Sequence, residues 1–247
     1  MLLIGMYHKI SDPSDPKRLL AFKQHLIELK RRFSIVTPAD RLPKHQVSVC
    51  LTFDDAYYDF YHYVYPLLQA LDLKAVLAIP TAYITEHTQI PAEERLAVPY
   101  PNALSDYSTV KNSIPFCTWS EIREMVDSQR VYPASHSHNH LNLCEKNTNI
   151  REELDISKQL LEEKLNMAID TFVYPYGKMN RMVHKTVQKT YRFGLRIGGA
   201  INLGWSTQNG LLYRVNADPF WIDGKKISSG FLVKSVFNHA LNRLRGK

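Results

Sequence analysis

Val47-Ser48-Val49-Cys50-Leu51-Thr52-Phe53-Asp54-Asp55 sets an apolar run of strand length directly against two adjacent carboxylates. The run reads as a buried strand. Two neighbouring carboxylates at its end repel each other and need a cation or a shared proton. A divalent metal would hold one and leave the other as a base. The plain alternative is a helix N-cap, where Asp is equally at home.

Working outward, the same alternation recurs. Upstream, 2–7 is a short apolar strand that ends at His8, and Asp15-Pro16 caps a helix carrying Leu19, Phe22, Leu26, Leu29 and Phe33. Downstream, a helix is predicted over 57–71, kinked or restarted at Pro66, and a strand over 73–79 is closed by Pro80. The stretch 81–117 holds Pro91, Pro99, Pro101 and Pro115, and reads as an irregular insertion of the kind that serves as a functional loop or lid. Thr118 to Glu121 is a capping box for a helix to about Ser128. A strand over 131–135 runs into His136. A helix with Ile150, Leu154, Leu161 and Leu165 starts behind Asn147 or Thr148. Another strand, 171–174, precedes Pro175-Tyr176-Gly177. Asn180 caps a helix with Val183, Val187 and Tyr191, and strands are predicted over 193–197 and 211–215. From Ser228 the tail reads as an amphipathic helix with Leu232, Val236, Phe237, Ala240, Leu241 and Leu244. That face is expected against the core rather than on a membrane surface.

Strands alternating with helices argue for parallel βαβ units in one α/β domain over 1–247. Periodicity leaves a closed barrel and an open sheet both standing. In either, active sites form at the C-terminal ends of strands. His8, Asp54-Asp55, His136 and Tyr174-Pro175-Tyr176 all occupy such ends.

His136-Ser137-His138-Asn139-His140 packs three histidines into five residues. His136 and His140 can point the same way from one turn, and neutral imidazoles are common ligands of zinc-like ions. His138 is expected at the rim, and Ser137 is expected to brace the loop through its own backbone. The alternative is a solvated polar loop. Two histidines and one carboxylate leave coordination positions open for water and substrate, and with Asp54 beside them as proton acceptor they make a hydrolase site. His8 is either structural or, in a barrel where first and last strands are neighbours, a proton donor facing the same mouth.

Composition excludes other classes. With 247 residues, 45% apolar and 22% charged, the chain is neither disordered nor collagen-like. The net charge of +7 allows anionic partners, but no P-loop, zinc-finger spacing or long Lys/Arg run points to nucleic acid. Three cysteines, Cys50, Cys117 and Cys144, without a CxxC make a disulfide framework unexpected and favour a reducing compartment. The opening MLLIGMYHKI turns polar too soon for a signal sequence, and no run of about 18 apolar residues spans a membrane, so a cytoplasmic location is expected. Oligomeric state is not readable.

Together these residues resemble the polysaccharide deacetylases of carbohydrate esterase family 4, the NodB-like group. Thr52-Phe53-Asp54-Asp55 resembles the first motif, although Ala56 stands where the family has Gly. His136 to His140 matches H-[ST]-x-x-H. Phe172 to Gly177 resembles the third motif, whose Tyr backbone N–H helps bind the oxyanion. The motifs cover roughly residues 47 to 180. The usual C-terminal Leu-x-His is missing, but Met6-Tyr7-His8 has the same form at the N-terminus. This is similar to a circularly permuted branch that includes poly-N-acetylglucosamine deacetylases. The resemblance implies a distorted (β/α) barrel of about seven parallel strands, permuted relative to the usual order.

The resemblance also implies roles. Asp55, His136 and His140 would hold one divalent metal, Zn²⁺ or else Co²⁺, Ni²⁺ or Mn²⁺. Asp54 is the base, His8 the acid, and Tyr176 N–H an oxyanion donor. The third-motif Arg is replaced by Val173, and Arg214 is the candidate substitute. Asp218 and Trp221 are candidates for a remnant of the fourth motif. The implied substrate is an acetylated carbohydrate. Aromatic residues of the insertion, Tyr83, Tyr100, Tyr107 and Phe116, either stack on sugar rings or form a loop core. The alternatives are an amidase of the same fold acting on a non-sugar C–N bond, and a non-catalytic glycan-binding protein.

Overall fold

The computed structural model describes residues 1–11, 15, 17–98, 110–206 and 209–245. Its strands are β1 (Leu2–Tyr7), β2 (Ser34–Ile35), β3 (Ser48–Phe53), β4 (Ala75–Ile79), β5 (Val131–Ser135), β6 (Thr171–Val173), β7 (Phe193–Ile197) and β8 (Leu211–Asn216). All named pairings are parallel, in the order β1-β8-β7-β6-β5-β4-β3, and β1 returns to β3 to close a seven-stranded barrel. The short β2, not foreseen from sequence, is appended to the start of β3. Closure is firmest where β1 meets β3, in register from Leu2↔Ser48 to Tyr7↔Phe53. It is slightest where β5 meets β6 through Ser135↔Phe172, which gives the distortion. The N-terminal strand therefore sits between β8 and β3, as the permuted reading requires.

Two apolar layers follow from strand alternation. Ile4, Cys50, Val76, Ala134, Val173 and Leu212 belong to one cluster that includes no helix residue and so fills the barrel. Leu3, Tyr7, Val49, Leu51, Phe53 and Leu77 face outward onto the helices. Helix α1 (Lys17–Arg32) covers β1 with Phe22, Leu26 and Leu29; each such burial stabilises by about 1.5–3 kcal/mol. The alternation extends past the strand ends. On β1 the inward row Ile4, Met6 continues to His8, and on β3 Cys50, Thr52 leads to Asp54. On β5 Ala134 leads to His136, and on β8 Leu212 leads to Arg214.

Between β3 and β4 a wide-turn helix (Phe60–Val64) passes into α2 (Tyr65–Ala70), with Pro66 in the first turn of α2, where its missing N–H costs nothing. The insertion is less irregular than expected. Among its described residues are α3 (Ala92–Ala97) and the short turns Thr81–Tyr83 and Lys111–Ser113. Buried Arg95 ties it down by bonding Glu121 at 2.6 and 2.9 Å and the carbonyls of Ile114 and Phe116, while stacking on Tyr58. Phe116 is fully buried against Tyr57 and Tyr83, so it is loop core and not a sugar platform. Tyr100 and Tyr107 lie outside the described residues, as does Pro16.

The capping box at Thr118 opens α4 (Trp119–Asp127) as expected. Helix α5 (Ile150–Leu165) is capped by Asn149, not by Asn147 or Thr148, because Asn149 Oδ1 accepts from Glu152 N. Asn180 caps α6 (Arg181–Thr190). A short α7 (Asp218–Trp221) packs on α1 through Trp221 and Phe22. All three cysteines are free.

The C-terminal helix α8 (Ser229–Leu244) corrects the sequence reading. Phe231 and Leu232 meet the core, but beyond them the docked face is polar. The wall it covers presents backbone carbonyls. Asn238 and Asn242 donate to Gly199 O and Gly198 O at 2.8 Å, and Ser235 and His239 are buried. Val236, Phe237, Ala240 and Leu244, expected inside, are exposed. None of the described helices is long and apolar enough to cross a membrane.

Candidate active site and metal centre

Asp54 and Asp55 leave β3 in different ways. Asp54 continues the inward row. Asp55 and Ala56 take left-handed backbone, φ 72° and 52°, and this bend brings the second carboxylate round to the same mouth. A left-handed site favours glycine, the residue that the resemblance implies where this chain has Ala56.

Asp55 Oδ1 lies 3.5 Å from His136 Nε2 and 3.4 Å from His140 Nε2. The two Nε2 atoms are 3.2 Å apart. Ligand atoms held tetrahedrally at zinc distances of about 2.0–2.1 Å stand about 3.4 Å from one another, so this triangle fits one divalent ion. The His136 tautomer fits as well. His136 Nδ1–H donates to Val173 O at 2.8 Å, leaving the Nε2 lone pair aimed into the triangle. Electrostatics agree in direction. Burial pushes His136 down, yet Asp55 and Asp54 outweigh it and raise its pKa. Burial and then the neighbouring His136 push His140 down to about 4. Two carboxylates here call for positive charge, and His140 offers a neutral donor.

The histidine loop is braced from outside. Glu153, buried on α5, accepts from Asn139 N at 2.8 Å and Asn139 Nδ2 at 2.7 Å. The Thr81 hydroxyl pairs with His138 Nδ1 at 2.9 Å, which keeps His138 out of the triangle. Ser137 does not brace the loop as expected. Its hydroxyl has no hydrogen-bond partner among the described residues, and Ser135 Oγ instead accepts from Ser137 N. Ser137 and His140 adopt φ of 64° and 53°, so the loop is not helical, and it is this bent backbone that brings the two rings together.

Arg214 reaches Asp54 from β8. Nη1 donates to Oδ1 at 2.6 Å and Nη2 to Oδ2 at 2.9 Å, a bidentate pair. Nη1 also donates to Thr52 Oγ1, which in turn donates to Gly5 O. Both partners are buried. Burial alone pushes the Asp54 carboxyl up, but Arg214 and then His136 hold it below the usual carboxylate range. His8 Nε2 lies 3.8 Å from Asp54 Oδ2, across the mouth and part-exposed. Tyr176 occupies the left-handed corner of the Pro-Tyr-Gly turn, φ 56°, with its ring edge-on to His140 at 4.7 Å.

The structure thus gathers Asp54, Asp55, His136, His140, His8, Arg214 and Tyr176 at one barrel mouth. It does not bring in the other two candidates. Among the described residues, the hydrogen bonds and ring contacts of Asp218 and Trp221 run to each other, to Asn216, Ile222, Phe22 and Arg18. Sequence reasoning missed Glu153 and Thr52. The signal for Glu153 was an acidic side chain on the buried face of α5, three residues from Ile150 and next to Leu154.

Comparison with known proteins agrees with this picture. Residues 41–194 match the model of the polysaccharide deacetylase family. The chain is 27% identical over 175 residues to the poly-beta-1,6-N-acetyl-D-glucosamine N-deacetylase of Escherichia coli K12, an alignment covering 60% of this chain and 24% of that protein. It therefore spans about a quarter of the length of the curated relatives it matches. Among solved structures, the Streptococcus pyogenes deacetylase PplD in complex with acetate superposes with a TM-score of 0.68 at 22% identity, covering 95% of this chain and 97% of that one. IcaB from Ammonifex degensii gives 0.67 at 18%, covering 90% and 94%. These likenesses concern the fold, while the family match spans the first two motifs and the third. The chain belongs to the polysaccharide deacetylase family.

Proposed function

We propose that this chain is a metal-dependent deacetylase that hydrolyses the acetamido group of an N-acetylated sugar. The observation carrying the reading is the meeting, in one mouth, of a three-donor triangle, an arginine-held carboxylate and a further imidazole. Asp55, His136 and His140 are the residues that would hold the ion. Zn²⁺ suits two imidazoles and a carboxylate, and Co²⁺, Ni²⁺ or Mn²⁺ share that donor set. Such an ion supplies Lewis acidity toward an acyl oxygen and toward water.

The remaining steps belong to the chain itself. Arg214 keeps Asp54 ionised and fixes its plane, so the carboxylate accepts the proton of the attacking water. The Tyr176 N–H donates to the acetyl oxygen as it becomes an oxyanion; one preorganised donor of this kind is worth about 3 kcal/mol. His8 gives a proton to the departing amine, which leaves poorly without one. The Tyr176 ring over His140 narrows the mouth around the acetyl group.

The reading is tested by acetate release from short N-acetylglucosamine oligomers, measured beside metal content. Acetate and a new free amine in equal amounts, abolished by chelation and restored by a divalent ion, are expected. Oligomer binding by metal-loaded protein without any acetate release would overturn it in favour of a glycan-binding scaffold.

A further inference from the structure

Helix α8 is amphipathic the wrong way round for a helix docked on a barrel. At 3.6 residues per turn, Val233, Val236, Phe237, Ala240 and Leu244 share one stripe, and that stripe faces solvent. Val233 is 70% exposed, Phe237 63% and Leu244 84%. The buried face carries Ser235, Asn238, His239 and Asn242. Lys234 and Arg245 border the stripe on one edge and Arg243 on the other. Beyond Asp223 the chain has six basic residues, Lys225, Lys226, Lys234, Arg243, Arg245 and Lys247, and no acidic one.

We propose that this face of α8 docks on an anionic lipid bilayer. An apolar stripe flanked by long basic side chains is the pattern of a helix lying in a membrane interface, with aliphatic and aromatic groups among acyl chains and the cations at phosphate level. Charge selects this occupant over a second copy of the chain. Pairing two such stripes would set like-charged edges against each other in a protein already at +7. The placement has a consequence for the mouth. The last turn of α8 reaches Gly198, next to Ile197 at the end of β7. Ile197 packs so closely on Gly177 of the Pro-Tyr-Gly turn that no Cβ fits there. A docked helix holds that rim of the barrel beside the lipid surface.

The full chain is mixed with sedimentable vesicles of phosphatidylcholine alone or of equal parts phosphatidylcholine and phosphatidylglycerol. Expected is binding to the anionic vesicles about tenfold above the neutral ones, weakened as salt rises well above about 0.1 M. Val233→Asp with Phe237→Asp should lower the bound fraction about tenfold at unchanged Tm, and Leu244→Asp alone should do so to a lesser degree. The proposal is overturned if the wild type does not bind, or if wild type and variants bind equally, which would be adhesion by net charge only. It is equally overturned if the variants instead dissolve a dimer seen without vesicles. These readouts do not depend on deacetylation.

Discussion

The two sides of the barrel mouth are built on different plans. On one side, the ends of β3 and β5 supply Asp55, His136 and His140 from compact local motifs, and their geometry is set by bent backbone at Asp55, Ser137 and His140. On the other, β1 and β8 supply His8 and Arg214 from opposite ends of the chain, joined only because β1 pairs with both β8 and β3. Asp54 lies at the seam, one residue from the triangle and gripped by Arg214. The first side is a donor set whose parts are close in sequence. In the proposed mechanism the second handles protons, and it exists only once the barrel has closed. A mutation on the proton side should therefore spare metal content, and one on the ligand side should not.

The largest break in that division comes from His8→Gln. Loss of a positioned acid costs about 10²–10⁴-fold in turnover, and metal content should stay at the wild-type level. Next is Arg214→Lys. A lysine replaces a rigid two-pronged grip with one contact, so Asp54 loses its fixed plane. Turnover should fall about a hundredfold, again at constant metal, as read by steady-state kinetics beside elemental analysis.

On the ligand side, Glu153→Gln weakens the brace on Asn139 between the two histidines. Outer partners of this kind are worth about 10–100-fold in metal affinity. Chelator competition should show that loss, while kcat at saturating metal stays within a few-fold of wild type. Restored kcat at high metal is what distinguishes a positioning residue from one that takes part in the reaction.

The last effect is on stability rather than activity, beneath the proton side. Tyr7 OH pairs with His25 Nε2 at 2.7 Å, and burial pushes His25 down to about 4. The unfolded chain takes up this proton near pH 6.5 and the folded chain only near 4. Stability is therefore complete above pH 6.5 and falls as pH drops through that window, by about 3 kcal/mol at its foot. His25→Gln should remove that part of the slope. Denaturant midpoints at pH 5 and pH 7 would show it as a smaller difference than in the wild type.

Much of this was legible in the sequence for a physical reason. Asp54-Asp55 and His136 to His140 are local patterns that end apolar strands, and strand ends in α/β folds point at one opening. The same rule placed His8 at the mouth, and the resemblance to the permuted branch is what implied its role as an acid. Arg214 was named only as the candidate substitute for the third-motif Arg that the resemblance implies, and its grip on Asp54 was not readable because that partner is 160 residues away and strand pairing decides the contact. Glu153 was hidden because acidic residues on helices are usually solvated, and Asn149 was missed as cap by two residues or fewer. The tail was misread because periodicity reveals an apolar stripe but not which way it faces. Backbone carbonyls on the wall at Gly198 and Gly199 attracted the asparagines and turned the stripe outward.

The division between ligand and proton sides is tested most directly by metal stoichiometry in Asp54→Asn and Asp55→Asn, prepared identically with the wild type. One divalent ion per chain is predicted in the wild type and in Asp54→Asn, the latter without turnover, and little or none in Asp55→Asn. A full equivalent retained by Asp55→Asn, or none bound by the wild type, would contradict the assignment of these neighbouring carboxylates.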